Sequence, residues 1–434
     1  MQLSADGTKN RPLLDTGAGG ILRTADVSSQ GANVNNVRRP GLRRLLWSLP
    51  ALLLAACAAP PADRTGGKAL DACLQTLGEI RWPHDTQYAG TTVGGLSSID
   101  YDARSGLYYL ASDDRSSFDP ARLYTARIRY DASGMLEVVL QDRIWLLNAR
   151  QQRFAGIRAP EPGTAVPDPE VLRLLPNLSN GQGQTMLWSS EGDFRRGFGP
   201  QLVEAATDGS WLREWPLPPQ LALPAPADRA TQGPRSNFTL EGMSLSADGK
   251  TLWLSMEGAL RQDGPMPGPG RAGAPVRITA YDMATRQPLR QLAYVPDALP
   301  EHLGLLSRHA VNGVSDILAD GPDHMLVLER SYAPARGFGA RIYRIRTDRA
   351  AGTDTLPLQQ LTPDNHRPVD KALLLDLSQA GLRSVDNLEG MSWGPPLPDG
   401  RRVLLLVSDN NFNPAEVTQF VALRERAGGC GRGL

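Results

Sequence analysis

The sequence predicts an all-β chain folded as a single β-propeller of about five four-stranded blades. Three observations point there. Five segments share one plan: a small polar or acidic opening, a short alternating strand, a Gly/Asp turn, an apolar strand and an acidic end. A second, more exposed strand pair follows each of the first four, and two hairpins make the four-stranded sheet of a blade. The 44 Gly and 35 Pro among 434 residues supply many turns, while 41% hydrophobic residues suffice for a sizeable core. A β-sandwich is the runner-up.

Residues 1–36 are polar and are read as an extension, with translation starting nearer Val34 or Val37. Four arginines (Arg38, Arg39, Arg43, Arg44) then precede an apolar run from Leu45 to Ala56. That run is too short to span a bilayer and fits an export signal. Its ending, Leu54-Ala55-Ala56-Cys57, resembles the lipobox of bacterial lipoproteins, which implies that Cys57 is acylated and becomes the new amino terminus. An ordinary signal peptide cleaved nearby is the alternative. By the same resemblance, Ala58 after the cysteine favours the outer membrane of the cell envelope, facing the periplasm. The chain thus divides into an extension and lipoprotein signal peptide (1–56), a tether (57–75), the propeller (76–425) and a tail (426–434).

Seven basic and three acidic residues precede Cys57, so the mature chain carries a net charge of −4. Nothing in that balance calls for nucleic acid. The membrane is met through the lipid anchor only, and a monomer is expected. Cys73 and Cys430 remain, one near each end of the mature domain. In an oxidising compartment they are expected to form a disulfide, constraining the unfolded chain by roughly 4–5 kcal/mol.

The five hairpins are GGLSSIDYDARSGLYYLASDDR from Gly94, DPEVLRLLPNLSNGQGQTMLWSSEG from Asp168, LEGMSLSADGKTLWLSMEG from Leu240, NGVSDILADGPDHMLVLER from Asn312, and DNLEGMSWGPPLPDGRRVLLLVSDNN from Asp386. The outer pairs are expected in RLYTARIRYDASGMLEVVLQDRIWLL, QLVEAATDGSWLREWPL, RITAYDMATRQPLRQLAYV and RIYRIRTDRAAGTDTLPLQQL. The fifth repeat has one outer strand, around Val417 to Leu423; a strand around Leu77 to Pro83 would complete it and close the ring. A sixth blade would have to lie in Leu146 to Pro167 or Pro216 to Asn237, Pro-rich stretches that otherwise read as loops.

In an antiparallel hairpin the residue opening the first strand lies beside the residue closing the second. That construction pairs Glu241 with Glu257, Ser97 with Asp113, Asp168 or Glu170 with Glu191, Asn312 or Asp316 with Glu329, and Glu389 with Asp409. Around a ring these pairs converge at one mouth of the central channel, with Arg115 and Arg330 just after their carboxylates. Clustered carboxylates repel unless a cation, a proton or arginines neutralise them. Oxygen donors without cysteine suit Ca²⁺, with Mg²⁺ as the alternative. The competing reading is that some of these acids only cap turns or bind backbone amides between blades.

The LEGM segments at Leu240 and Leu388, SSEG at Ser189, the Glu329-Arg330 pair and SDNNF at Ser408 resemble the esterase-like, phytase-like β-propeller family. The resemblance runs from about Gly94 to Leu423 and implies hydrolysis of ester bonds, phosphate monoesters included. Carried over, it implies a metal set of Asp113, Glu191, Glu257, Glu329 and Asp409. It further implies Glu241 and Glu389 as catalytic carboxylates, Arg115 and Arg330 as anion clamps, and Asn410 as a substrate contact; Asn312 joins the substrate contacts from its place at the mouth. Gly390-Met391-Ser392-Trp393-Gly394 matches the G-x-S-x-G pattern of serine hydrolases, but it is the opening strand of a blade and lacks the strand–turn–helix elbow that chemistry needs. Two functions remain: metal-assisted hydrolysis of a small anionic ester or phosphoester, and a non-catalytic propeller binding an anionic ligand or protein partner.

Overall fold

The computed structural model of the protein describes residues 73–176, 183–224, 231–301, 309–334 and 336–430. The extension, the signal peptide with Cys57, most of the tether and the last four residues lie outside the described residues. No helix among the described residues is long and apolar enough to cross a membrane.

Five four-stranded antiparallel sheets form the blades of a propeller. The first is β4 (Leu96–Asp102), β5 (Leu107–Ser112), β6 (Arg122–Asp131) and β7 (Gly134–Trp145), preceded by a small hairpin of β2 (Gln87–Tyr88) and β3 (Thr91–Thr92). The second is β8 (Pro169–Leu175), β9 (Thr185–Ser190), β10 (Gln201–Ala206) and β11 (Trp211–Glu214). The third is β12 (Leu240–Leu245), β13 (Thr251–Met256), β14 (Val276–Asp282) and β15 (Gln287–Tyr294). The fourth is β16 (Val311–Ala319), β17 (His324–Ala333), β18 (Gly337–Arg346) and β19 (Lys371–Asp376). In the fifth, β20 (Asn387–Gly394), β21 (Val403–Asp409) and β22 (Val417–Glu425) are completed by the amino-terminal β1 (Leu74–Pro83) on the outer edge. The expected closure is therefore present, and Cys73 and Cys430 are joined in a disulfide beside it. Among the described residues, neither stretch considered for a sixth blade contributes a strand.

The inner strands β4, β8, β12, β16 and β20 contact one another in sequence and close the ring. Because side chains alternate across a strand, each middle strand feeds two inter-blade layers. In β21, Leu404 and Leu406 pack with Leu326, Leu328 and Ile342 of the fourth blade, while Leu405 and Val407 pack with Leu110 and Tyr124 of the first. Burial on both faces explains why such a strand reads as a continuous apolar run. The core is a circle of such layers.

One outer strand lies elsewhere than expected. The fourth blade's edge is Lys371–Asp376, not the Thr353–Leu361 region. The intervening stretch, broken by Pro357, Pro363 and Pro368, crosses to the third blade instead. There the Thr355 and Val369 amides donate to the Gln291 and Ala293 carbonyls of β15 (2.8 and 2.9 Å).

Candidate functional site

The pairing of every inner strand slips by a residue at the same place. Register jumps between Leu96 and Ser98, Pro169 and Leu172, Leu240 and Gly242, Val314 and Asp316, and Leu388 and Gly390. A bulge re-aims the extra side chain. In three blades that side chain is a glutamate: Glu170, Glu241 and Glu389, all lining one cavity at the channel mouth. In the other two it is a serine; Ser97 donates to the Glu170 carbonyl (2.8 Å) and Ser315 to the Leu388 carbonyl (3.3 Å). The glycine after the glutamate is forced by crowding. A Cβ on Gly242 would lie 3.0 Å from the Ile317 nitrogen, and one on Gly390 2.9 Å from Ile99 nitrogen and Ser98 Cα, atoms of the neighbouring inner strand.

The position facing each bulge across the hairpin points into the same cup. Asp113, Glu191 and Glu257 donate their amides to the carbonyls of Gly95, Asp168 and Thr239 (2.8, 3.0 and 2.6 Å), and Asp409 pairs with Asn387. In the fourth blade this position is Arg330, opposite Gly313, and not Glu329, which pairs one residue earlier with Val314. A one-residue step turns a side chain to the other face of the sheet. Glu329, expected among the metal ligands, accordingly does not line the cup: it accepts from the Tyr294 hydroxyl (2.6 Å), Lys371 Nζ (2.5 Å), the Asp297 amide (3.0 Å) and Asn312 Nδ2 (2.8 Å). Asn312, expected to touch substrate, is thereby turned away as well. Asn410 is also engaged, its Oδ1 accepting from the Gly95 and Phe412 amides (3.1 and 3.0 Å). The remaining expected residues, Asp113, Arg115, Glu191, Glu241, Glu257, Arg330, Glu389 and Asp409, all line a cavity of about 640 Å³.

Sequence reasoning missed part of this lining. Asp168 and Glu170 were left as alternatives, and both belong to it; Asn387, in the DNLEG segment, was not singled out. Nor was the rim, where Phe118 stacks on Phe412 and Tyr332 packs against Phe338. Phe118 and Phe412 lie in loops, where an isolated aromatic gives no periodic signal, and Tyr332 and Phe338 are opposed near the end of the β17–β18 hairpin.

Two arginines and ten carboxylates, Asp114 and Glu416 among them, line the cavity. Arg115 pairs with Asp168 and donates to Asn237 Oδ1 (3.1 Å). Arg330 Nη2 bridges Glu257 and Glu389 (3.1 and 3.0 Å). Burial, reinforced by neighbouring carboxylates, pushes Asp113, Glu170, Glu191, Glu241 and Asp409 well above the usual carboxylate range. Burial lifts Glu257 to about 7 against the pull of Arg330, and raises Glu389 and Asp168 despite their arginines.

The arrangement fits a hard divalent cation. Oxygens of Asp168, Glu170 and Glu191 lie within 4.8 Å of one another, as do those of Glu191, Glu241 and Glu257. Buried Asn387 Oδ1 accepts no hydrogen bond among the described residues, and Glu257 Oε1 meets only the Arg330 ion pair; each is an oxygen donor of the kind Ca²⁺ or Mg²⁺ takes.

Beneath the cup the channel is plugged. Inner strands are sheet edges, so their channel-facing amides and carbonyls need partners. Asp316 accepts two bonds from Arg173 Nη2 (2.9 and 2.7 Å) and the amides of Met243 (3.3 Å) and Met391 (2.7 Å). Arg173 donates in turn to the carbonyls of Leu172 (2.7 Å), Ile99 (3.3 Å) and Met391 (3.2 Å). One ion pair thus ties together all five inner strands. Ser392 belongs to the same bracing: its hydroxyl accepts from the Tyr101 amide (3.2 Å), which leaves the G-x-S-x-G match without a nucleophile at the cup.

A family model described as Phytase-like, esterase-like activity of phytase, matches residues 91–412. No curated protein matches the sequence. Among solved structures, the chain is similar to the periplasmic gluconolactonase of Pseudomonas aeruginosa (11% identity, 77% of this chain and 87% of that one, TM-score 0.32). It is also similar to an exo-β-1,3-galactanase from Phanerochaete chrysosporium (10% identity, 80% and 64%, TM-score 0.39). A luciferin-regenerating enzyme is a third (12% identity, 78% and 94%, TM-score 0.34).

Proposed function

The chain belongs to the phytase-like, esterase-like family, and from that premise we propose that it is a cell-envelope lipoprotein hydrolase acting on phosphate or other esters at the acidic cup, with metal assistance. The observation that carries this reading is the set of bulges that aim Glu170, Glu241 and Glu389 into one enclosure with two arginines. Glu191 would hold a divalent ion, Ca²⁺ in the first instance, together with Asp168 and Glu170 or with Glu241 and Glu257. Such an ion, when bound, supplies positive charge that polarises a phosphoryl or ester oxygen.

The chain's own groups do the rest. Arg330, held between Glu257 and Glu389, and Arg115, steadied by Asp168 and Asn237, clamp the substrate's anionic oxygens. Glu241 makes no side-chain hydrogen bond among the described residues, which leaves its carboxylate open to orient a water and take its proton. Glu389 is steadied by Asn387 (2.9 Å) and Arg330 and serves as the second carboxylate. Without a cation, burial and neighbouring acids push the Glu241 carboxyl well above the usual carboxylate range, so a cation in the cup favours its work as a base.

Against a panel of phosphate and carboxyl esters, with Ca²⁺ or with chelator, the protein is expected to turn over at least one ester metal-dependently. Glu241→Gln is expected to lower that rate by about 100-fold or more with unfolding unchanged. Undiminished turnover in the variant rejects its role. Silence across the panel with cation binding retained leaves a propeller that only binds. Retention of a Cys57→Ser variant in the membrane fraction would reject the anchor.

A further inference from the structure

The rim of the cup carries an aromatic platform that the hydrolytic chemistry does not use. Phe118 is 58% exposed, although it is a large apolar residue. It stacks on Phe412 with ring centroids 4.6 Å apart and planes 20° from parallel. Both rings line the same cavity as the carboxylates.

Three of the seven positive-φ non-glycine residues among the described residues lie at or beside this pair. Ser116, Asn411 and Phe412 all have positive φ (51°, 47° and 51°), a region that non-glycine residues rarely adopt. Such strain persists only where the surroundings over-determine it, and it gathers at ligand sites. Here the amides of Asn411 and Phe412 donate to Asp409 Oδ1 (2.6 Å) and Asn410 Oδ1 (3.0 Å). Space for the ring comes from two glycines: a Cβ on Gly94 would lie 2.8 Å from Phe412 Cε1, and one on Gly95 3.0 Å from Cε2. An exposed apolar ring on a strained backbone costs stability twice over and does nothing for the core.

Charge narrows the ligand further. Both guanidiniums are already ion-paired, and the carboxylates of the lining outnumber them fivefold. One anionic group can be met by an arginine or a bound cation. A second or third would lie against carboxylates at short range.

We propose that the substrate is an aryl ester, carrying at most one anionic group and laying its flat apolar ring on the Phe118–Phe412 stack, and not a polyphosphate. This rests on the reading of the cup as an ester site. Stacking and ring burial hold the part of the substrate that does not react, while the arginines hold its anion.

The test is calorimetric binding to the Ca²⁺-supplied protein, with phenylphosphonate, methylphosphonate and fructose 1,6-bisphosphate as probes, alongside ester turnover. Phenylphosphonate is expected to bind about tenfold tighter than methylphosphonate and tighter than the bisphosphate. Phe118→Ala should erase most of the phenyl-over-methyl preference without weakening methylphosphonate, and Phe118→Tyr should restore it. A preference unchanged in Phe118→Ala, tighter binding of the bisphosphate, or no phosphonate binding at all overturns the proposal. If no ester is turned over but the binding order holds, the hydrolase reading falls and the aryl ester falls with it as a substrate, leaving the stack as the seat of an aryl anion that is only bound. If turnover is metal-dependent but the preference is absent, the hydrolase reading stands and the aryl stack falls.

Discussion

Replacing Asp316 by Ala tests whether the ring is held by its plug. The carboxylate is fully buried and accepts from Arg173, Met243, Met391 and Ile317. Its removal strands a buried guanidinium, at a cost of about 3–5 kcal/mol. The informative variant is the double replacement Arg173→Met with Asp316→Leu. A buried ion pair exchanged for apolar residues of similar volume is often neutral or stabilising. Here it should not be, because the pair also serves edge-strand backbone: the amides of Met243, Ile317 and Met391 and the carbonyl of Ile99 lose their side-chain partner. With each stranded buried amide costing about 1–3 kcal/mol, the double variant should remain at least about 3 kcal/mol below the wild type. Guanidinium-induced unfolding of the wild type, Asp316→Ala and the double variant gives the comparison. A double variant as stable as the wild type would refute the idea that the pair exists to satisfy the blade edges.

Two further outcomes are expected. In chelator, stability should fall as pH rises: carboxylates whose folded pKa is raised stabilise the protein fully below their ordinary pKa of 4.5 and lose that contribution as pH passes the folded value, about 7 for Glu257. That single shift corresponds to about 3 kcal/mol; the gain in melting temperature on adding Ca²⁺ should therefore be larger at about pH 7.5 than at about pH 5, and an equal gain at both would contradict the electrostatic account. Gly390→Ala should destabilise by about 1–3 kcal/mol, because its Cβ would press on Ser98 and Ile99 of the next inner strand; a neutral melting shift would show that the LEGM glycine is there for another reason.

The repeat plan was legible because alternation and turn residues fix a hairpin locally. Pairs such as Glu241 with Glu257 and Glu389 with Asp409 follow from it, and they share the cup. The fourth blade was misaligned by one residue because NGVSD lacks the Glu-Gly landmark of LEGM. Matching acid to acid selected Glu329, whereas counting from the bulge at Ser315 selects Arg330. The Arg173–Asp316 pair joins residues 143 positions apart and has no local signature at all. Nor does the crossing of the Pro-rich stretch onto β15, which looks like continued blade until its prolines are weighed against an edge strand already in place.

Where a cation would settle follows from how charge is distributed around the ring. Arg330 stands on the fourth blade, between Glu257 of the third and Glu389 of the fifth. Arg115, from the first, neutralises Asp168 of the second. The remaining run of acids spans the second and third blades through Glu170, Glu191 and Glu241, and ends at Glu257, which Arg330 pairs. Both three-carboxylate groups within 4.8 Å fall there and share Glu191; neither includes Asp113 or Asp409. Inner strands braced by the plug and by Ser98, Ser244 and Ser392 cannot move apart to relieve the repulsion, so only protons or a cation can. Glu191, common to both groups, is consequently the carboxylate whose loss should weaken cation binding most, ahead of Asp113 or Asp409, which belong to neither.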